Sequence, residues 1–204
     1  MTPCVGVWSE MDVKRMPPGK KPISLRTKRF ELRTATPNDA CDTWLGWTRD
    51  PEVMGPLNVP VRQMSKYELA SYIGSFDSIS RHLILVLEKD THTPIGFFMV
   101  ESDPSHRVAN FNVVIGDKNW WGKGVVNEAR AALLDYFFEQ RGIEKACGSP
   151  LARNFPAIFN YKAQRWRHEG TLRGQWVSTT DGKRLDQYQF GLLRSEWRAA
   201  RAKG

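Results

Sequence analysis

The sequence predicts an α+β fold of mixed α/β character, a mostly antiparallel sheet flanked by helices. Three observations carry that prediction. Strand-like runs and helix-like stretches are interleaved along the chain. Antiparallel hairpin signals occur both in the first half, around Thr93-Pro94-Ile95-Gly96, and near the end, at Asp181-Gly182. Between them a glycine-rich turn, Asn119-Trp120-Trp121-Gly122-Lys123-Gly124, leads from an apolar strand into an amphipathic helix.

Each element follows from its local pattern. Phe30 to Thr34 alternates as a first strand. Thr36 and Pro37 start a helix expected over 37–49, with Thr36 as cap and Pro37 at its first position. The segment Asp50 to Met64 holds Pro51, Gly55, Pro56 and Pro60 and reads as an ordered, irregular loop. A second helix is expected from Ser65 through Phe76. His82 to Leu87 and Phe97 to Glu101 form a hairpin, and Val108 to Ile115 is the next strand. In the helix expected over 125–140, Val125, Ala129, Ala132, Leu133, Tyr136 and Phe137 share one side. Ile143 to Cys147 is a short strand and 154–166 a further helix. Thr171–Thr179 and Arg184–Leu192 pair across the Asp181-Gly182 turn.

The chain's 204 residues suit one domain with a sizeable core. Its division is read as a basic arm over 1–27, rich in proline and glycine from Pro17 to Pro22, followed by a single domain over 28–204. The net charge of +8 is confined to the ends: residues 1–33 carry +5, residues 194–204 carry +3, and the stretch between sums to zero. A basic arm raises the question of nucleic acid. Few aromatics accompany the charge and no nucleic-acid motif is present, so a solvated arm and a solvated helix end are expected instead. No apolar run approaches the roughly 18 residues that span a membrane, and the first residues do not read as a secretory signal. Cys4, Cys41 and Cys147 are odd in number and far apart, which fits a reducing cytoplasm. His82, His92, His106 and His168 show no metal-ligand spacing, so no metal is expected.

The 119–124 turn is built for phosphate. Its glycines let the backbone approach an anion, and successive N–H groups and a helix N-terminus face it. It lacks the first glycine of G-x-G-x-x-G and the lysine-hydroxyl ending of the nucleoside-triphosphate loop. Its spacing is similar to Arg/Gln-x-x-Gly-x-Gly/Ala, with Asn119 in the first place and Gly122 and Gly124 matching. Further on, Asn154, Ala157, Tyr161, Glu169 and Gly170 fall on the pattern Asn-x-x-Ser/Ala, Tyr, Gly-Phe, Glu-Gly, while Arg165-Trp166 replaces Gly-Phe. The tail, Gly170 to Arg173, Asp181-Gly182, Asp186 and Gly191 to Trp197, completes the set. In order and together, over roughly residues 28–197, these segments resemble the GNAT N-acetyltransferases, in the branch of the ribosomal-protein N-terminal acetyltransferases.

The resemblance implies a GNAT-like central sheet that splays, acetyl-CoA as co-substrate and a primary amine as acceptor. It places the pyrophosphate on Asn119, Trp121, Gly122, Lys123, Gly124 and Val125, and the pantetheine arm and thioester along Val114 and Ile115. It implies Tyr161 as the acid that protonates the leaving thiolate, and Asn154 as a holder of pantetheine or water; as residues alone these read as a half-buried aromatic and a helix cap. Asn110 stands where relatives often keep a glutamate. Glu101, Asp103 and His106, at the ends of neighbouring strands, are the remaining candidates for a base acting through water. Trp44, Trp47, Trp120 and Trp121 either line an acceptor pocket or pack. Cys147 lies in a core-like strand and reads as inert. A homodimer is common in this branch. Two functional classes stay open: an N-acetyltransferase acting on a protein N-terminus or a small-molecule amine, and a non-catalytic acyl-CoA-binding module whose basic arm contacts RNA or a ribosome.

Overall fold

The structure, a computed structural model, describes residues 22–202, so most of the expected arm lies outside the described residues. One sheet of eight strands organises the chain: β1 (Ser24–Arg26), β2 (Phe30–Thr34), β3 (Arg81–Glu88), β4 (Pro94–Asp103), β5 (Val108–Ile115), β6 (Lys145–Gly148), β7 (Arg167–Val177) and β8 (Arg184–Leu193). Their spatial order is β1-β2-β3-β4-β5-β6-β8-β7. Six of the seven pairings are antiparallel and β5–β6 is parallel. A parallel neighbour needs a crossover, which α4 (Val125–Glu139) supplies between β5 and β6. The mixed, mostly antiparallel sheet expected from sequence is therefore present.

Strand alternation feeds two apolar layers. Phe30, Leu32, Ile84, Val86, Phe98, Val100, Ala109, Phe111, Ala146 and Phe190 meet α4, α5 (Phe155–Ala163) and α6 (Arg194–Arg201). On the other face Leu83, Leu85, Leu87, Phe97 and Val114 meet α1 (Asp42–Arg49), α2 (Pro51–Met54) and α3 (Lys66–Gly74). Trp44 and Trp47 are core residues of this second layer, Trp44 stacking on Phe97 at 4.8 Å. Both therefore pack in the core.

The feature that positions the site is a fork. β5 and β6 pair only through Val108↔Lys145, Ala109↔Ala146 and Asn110↔Cys147. β5 continues to Ile115 while β6 stops at Gly148, so the sheet parts beyond Asn110. This is the expected splay.

Several boundaries differ from the sequence reading. The folded part begins before residue 28: Ile23 is buried and exchanges hydrogen bonds with Thr34, N–H to Oγ1 at 2.8 Å and O from N–H at 2.9 Å. Proline beside Ile23 masked that strand start. The helix expected over 37–49 is broken. Asp39 accepts from Arg33 and from the Thr36 N–H, closing a 3₁₀ turn over Pro37–Asp39, and the chain runs extended through Ala40 and Cys41 before α1. The 50–64 loop contains α2, capped by Asp50, and a 3₁₀ turn over Gly55–Leu57. The C-terminal basic end is not simply solvated. Arg194 and Arg198 pair with Glu139, and Arg201 with Asp135, tying α6 to α4.

Candidate active site

At the fork's base stands Tyr161. The spacing of Ile158 and Tyr161 on α5 turns both into the sheet, and Tyr161 is 5% exposed. Its ring stacks on Phe190 at 5.1 Å and meets Trp166 edge-on at 4.9 Å. Its hydroxyl donates to the Phe111 carbonyl at 3.2 Å. A methyl added at Gly148 would collide with that hydroxyl, so the phenol sits between the two strands where they part. Burial pushes the phenol above its ordinary value, and the Arg130 guanidinium acts against that rise. The Arg165-Trp166 departure from the Gly-Phe pattern leaves the turn intact: Arg165 itself takes the left-handed conformation, at φ 62°, and Trp166 is buried beside Tyr161.

The glycine turn follows the tip of β5. Asp117 caps a 3₁₀ turn over Lys118–Trp120 by accepting from the Asn119 N–H at 3.0 Å. Gly122 and Gly124 then take positive φ, 72° and 74°, and Gly124 is the cap of α4. The main-chain N–H groups of Gly122, Gly124, Val125 and Val126 find no acceptor among the described residues. Arg29 fastens the turn to the start of β2. Its N–H and Nε donate to Glu128 at 2.9 and 2.7 Å, and Nη2 donates to the Lys123 carbonyl at 3.0 Å. Lys123 is exposed, with Nζ over the Trp120 ring at 5.7 Å. The result is an exposed turn with unpaired N–H groups at a helix N-terminus, beside the Lys123 ammonium and the Arg29–Glu128 ion pair, a geometry suited to a phosphate.

Alternation along β5 decides which backbone groups face the gap. The carbonyls of Phe111 and Ile115 accept from Tyr161 and, at 2.8 Å, from the Trp121 indole N–H, on the side away from β4. Val113, between them, has the same orientation, so its N–H and C=O open into the fork. Val114 pairs with Phe97 and directs its backbone to β4, and its side chain joins the α1–α3 layer. Val113 thus corrects Val114 as the residue presenting its main chain to the gap, and Trp121 already occupies the Ile115 carbonyl.

The other expected residues are placed differently. Asn154 caps α5, its Oδ1 accepting from the Ala157 N–H at 3.2 Å, and its Nδ2 donates to the Pro56 carbonyl at 3.2 Å. Its side chain is a cap and a tether. Glu101 pairs with Asn110 in the β4–β5 register, on the opposite face of the sheet from Tyr161, and is exposed near Arg81. Asp103 holds the 103–106 turn by accepting from the Ser105 and His106 N–H groups. Asp103 shares the face of Glu101 by alternation along β4, so the structure brings neither carboxylate to Tyr161. Cys147 is half-buried and its thiol is pushed up by burial. Asn110 Oδ1 is buried without a partner.

Sequence reasoning missed Arg29, Arg130 and Asn58. Arg29 and Arg130 act through partners distant in the chain, Glu128 and the pair Gln164/Tyr161, and no local pattern marks them. Asn58, in the left-handed conformation, donates to Val177 and accepts from the Thr179 N–H, fastening the 50–64 loop to the β7–β8 hairpin. Among the described residues no group of three or more His, Cys, Asp or Glu is placed to hold a metal, and no helix is long and apolar enough to cross a membrane.

Comparison with known proteins bears on the family and the fold. The chain is 27% identical over 183 residues to the uncharacterized N-acetyltransferase p20 of Bacillus licheniformis, covering 85% of this chain and 98% of that protein. The spermidine N-acetyltransferase of Vibrio cholerae, solved with CoA and spermine, has the same fold, with a TM-score of 0.73 at 20% identity over 83% of this chain and 98% of that one. The ribosomal-protein-S5-alanine acetyltransferase of Vibrio fischeri also has it, with a TM-score of 0.73 at 15% identity over 86% of this chain and 98% of that one. The model of the acetyltransferase (GNAT) domain matches residues 29–158, more than half of the sequence, and the chain belongs to the GNAT acetyltransferase family.

Proposed function

We propose that the protein moves an acetyl group from acetyl-CoA to a primary amine, by direct attack in a ternary complex. The observation that carries this reading is the fork, with an unpaired main-chain pair at Val113, the Tyr161 hydroxyl at its base and an anion-binding turn beside it. The pyrophosphate would rest on the N–H groups of Gly122, Gly124, Val125 and Val126, beside Lys123 and Arg29. The pantetheine arm would extend β5 as a strand-like partner. The Val113 N–H is suited to polarise the thioester carbonyl.

The amine nitrogen bonds to the carbonyl carbon and the C–S bond breaks, its electron pair remaining on sulfur. Tyr161 gives its proton to that sulfur, the amine's surplus proton leaves to water, and the phenolate takes a proton back from water before the next turnover. With Glu101 on the far face and Asn110 in place of a carboxylate, water carries the amine's proton. A chain-terminal amine, with a pKa of about 8, suits so weak a base better than a lysine. The acceptor class is a protein N-terminus or a small-molecule amine; the relatives named above include both kinds.

Calorimetric titration of the full chain with acetyl-CoA, adenosine diphosphate and pantetheine tests the donor site. One-to-one binding that requires the pyrophosphate supports it, and no binding by folded protein overturns it. A panel of peptide N-termini and polyamines, read by mass spectrometry for acetylated product, then tests the acceptor class.

A further inference from the structure

We propose that Arg130 is a positioning residue for the reaction, a buried cation that fixes the Tyr161 ring and makes its hydroxyl a readier proton donor to the leaving thiolate. The inference rests on Tyr161 as that donor. Arg130 lies on α4 and is 1% exposed. Among the described residues no carboxylate pairs with it, although a buried charge ordinarily has such a partner. Its guanidinium carbon lies 4.4 Å from the centre of the Tyr161 ring and 5.2 Å from that of Trp166. Nε donates to Gln164 Oε1 at 2.5 Å, Gln164 is itself held by the Asn127 carbonyl at 2.8 Å, and Nη2 is buried without a partner.

The surroundings leave few reasons for a charge here. Trp166 and Phe111 are aromatic and do not ionise, and Gln164 is neutral. An aliphatic side chain on α4 would fill the same space at lower cost. Among the described residues, the Tyr161 phenol is the titratable group that acts on Arg130. A cation on the face of a phenol is drawn to the ring, and more strongly to the phenolate, whose ring carries added negative charge. Arg130 therefore favours loss of the proton.

Its effect opposes two others. The Phe111 carbonyl accepts from the protonated hydroxyl and favours keeping the proton, and burial does the same. The remaining titratable group acting on the phenol is Cys147, from β6; Phe190, stacked from β8, carries no charge. The guanidinium is itself pulled down to about 10 by burial, so it stays charged at neutral pH.

The test replaces Tyr161 by 3,5-difluorotyrosine, a more acidic phenol that ionises where the protein is folded, and follows phenolate absorbance against pH in the full chain. Arg130→Met is expected to move the midpoint up by about 1–3 pH units, the range for loss of a close opposite charge, and Arg130→Lys to move it less. A folded Arg130→Met protein whose midpoint shifts by under about 0.3 unit overturns the proposal. Should that variant not fold, Arg130→Gln keeps a polar contact to Gln164 and is read by the same criterion. The midpoint reports the coupling alone, while turnover of Tyr161→Phe reports the acid role, so the two ideas fail separately.

Discussion

The Tyr161 hydroxyl meets the Phe111 carbonyl one residue beyond Asn110, the last β5 residue paired with β6. It stands where the next rung of the parallel ladder would be, so the group that closes the fork also brings a proton to the gap. Tyr161→Phe keeps the ring contacts to Phe190 and Trp166 and removes the hydroxyl with its proton. The expected result is undiminished acetyl-CoA affinity with turnover lower by about a hundredfold or more, the lower edge for a positioned acid. Stability should fall by about 1–2 kcal/mol, because the Phe111 carbonyl loses its partner. Calorimetry, steady-state rates and urea unfolding separate the three, and unchanged turnover would remove Tyr161 from the mechanism.

A second prediction concerns Gly124. Its φ of 74° favours glycine, and an added Cβ would have Arg29 Nη2 as its nearest neighbour at 3.8 Å, so space is not the obstacle. Gly124→Glu puts a carboxylate at the helix N-terminus, where it competes with an anionic ligand and draws Arg29. Acetyl-CoA binding should be lost. Gly124→Asn tolerates the same backbone without charge and should retain the fold and most of the affinity. Equal donor affinity in a folded Gly124→Glu protein would refute the turn as the pyrophosphate site.

Two glycines of similar appearance should behave differently. A Cβ at Gly148 would meet the Tyr161 hydroxyl and ring, which are held between Phe190, Trp166 and Phe111; a Cβ at Gly191 would meet the end of the Glu169 side chain, which is exposed and can swing aside. Gly148→Ala should cost about 1–3 kcal/mol, the usual penalty for overpacking. Gly191→Ala should cost less, with loss of the 2.7 Å Lys145–Glu169 pair as its main consequence. Thermal unfolding of both variants reads the contrast. A cost for Gly148→Ala no larger than that for Gly191→Ala would mean that Tyr161 is not fixed at the fork.

What could be read from sequence divides along the range of the interactions. β2, β5 and α4 were legible because their signals are local: alternation, a glycine cap and a 3.6-residue stripe. Ser65 and Glu68 announce α3 in the same way, as a capping box. The break at Ala40–Cys41 was not legible, since it depends on Arg33 reaching Asp39 from another element. The glycine turn and Tyr161 could be placed by resemblance. The choice of Val113 over Val114 could not, because it follows from which neighbour β5 faces at each residue. Arg130 looks like any surface arginine until Gln164 and Trp166 are folded over it.

The last prediction turns on His82, a buried histidine on β3 whose two ring nitrogens lack partners and whose ring meets Phe137 edge-on at 5.2 Å. Burial first, and then the nearby Arg141 charge, lower it from 6.5 to about 4. The unfolded chain thus takes up a proton near pH 6.5 that the folded chain refuses until about pH 4. The stability of the neutral form is complete above pH 6.5 and is lost progressively as pH falls from there to about 4. His82→Leu abolishes that uptake and breaks no hydrogen bond of the ring. The variant should match or exceed the parent at pH 7, and its advantage should grow by roughly 2–3 kcal/mol on going to about pH 4.5. Acid-sensitive groups that do not act on His82, such as Glu139, held down to about 2 by Arg198 and Arg194, are common to both proteins and cancel in the difference. Urea unfolding of parent and variant at the two pH values decides the matter, and parallel losses of stability would show that His82 is protonated, or hydrated, in the fold.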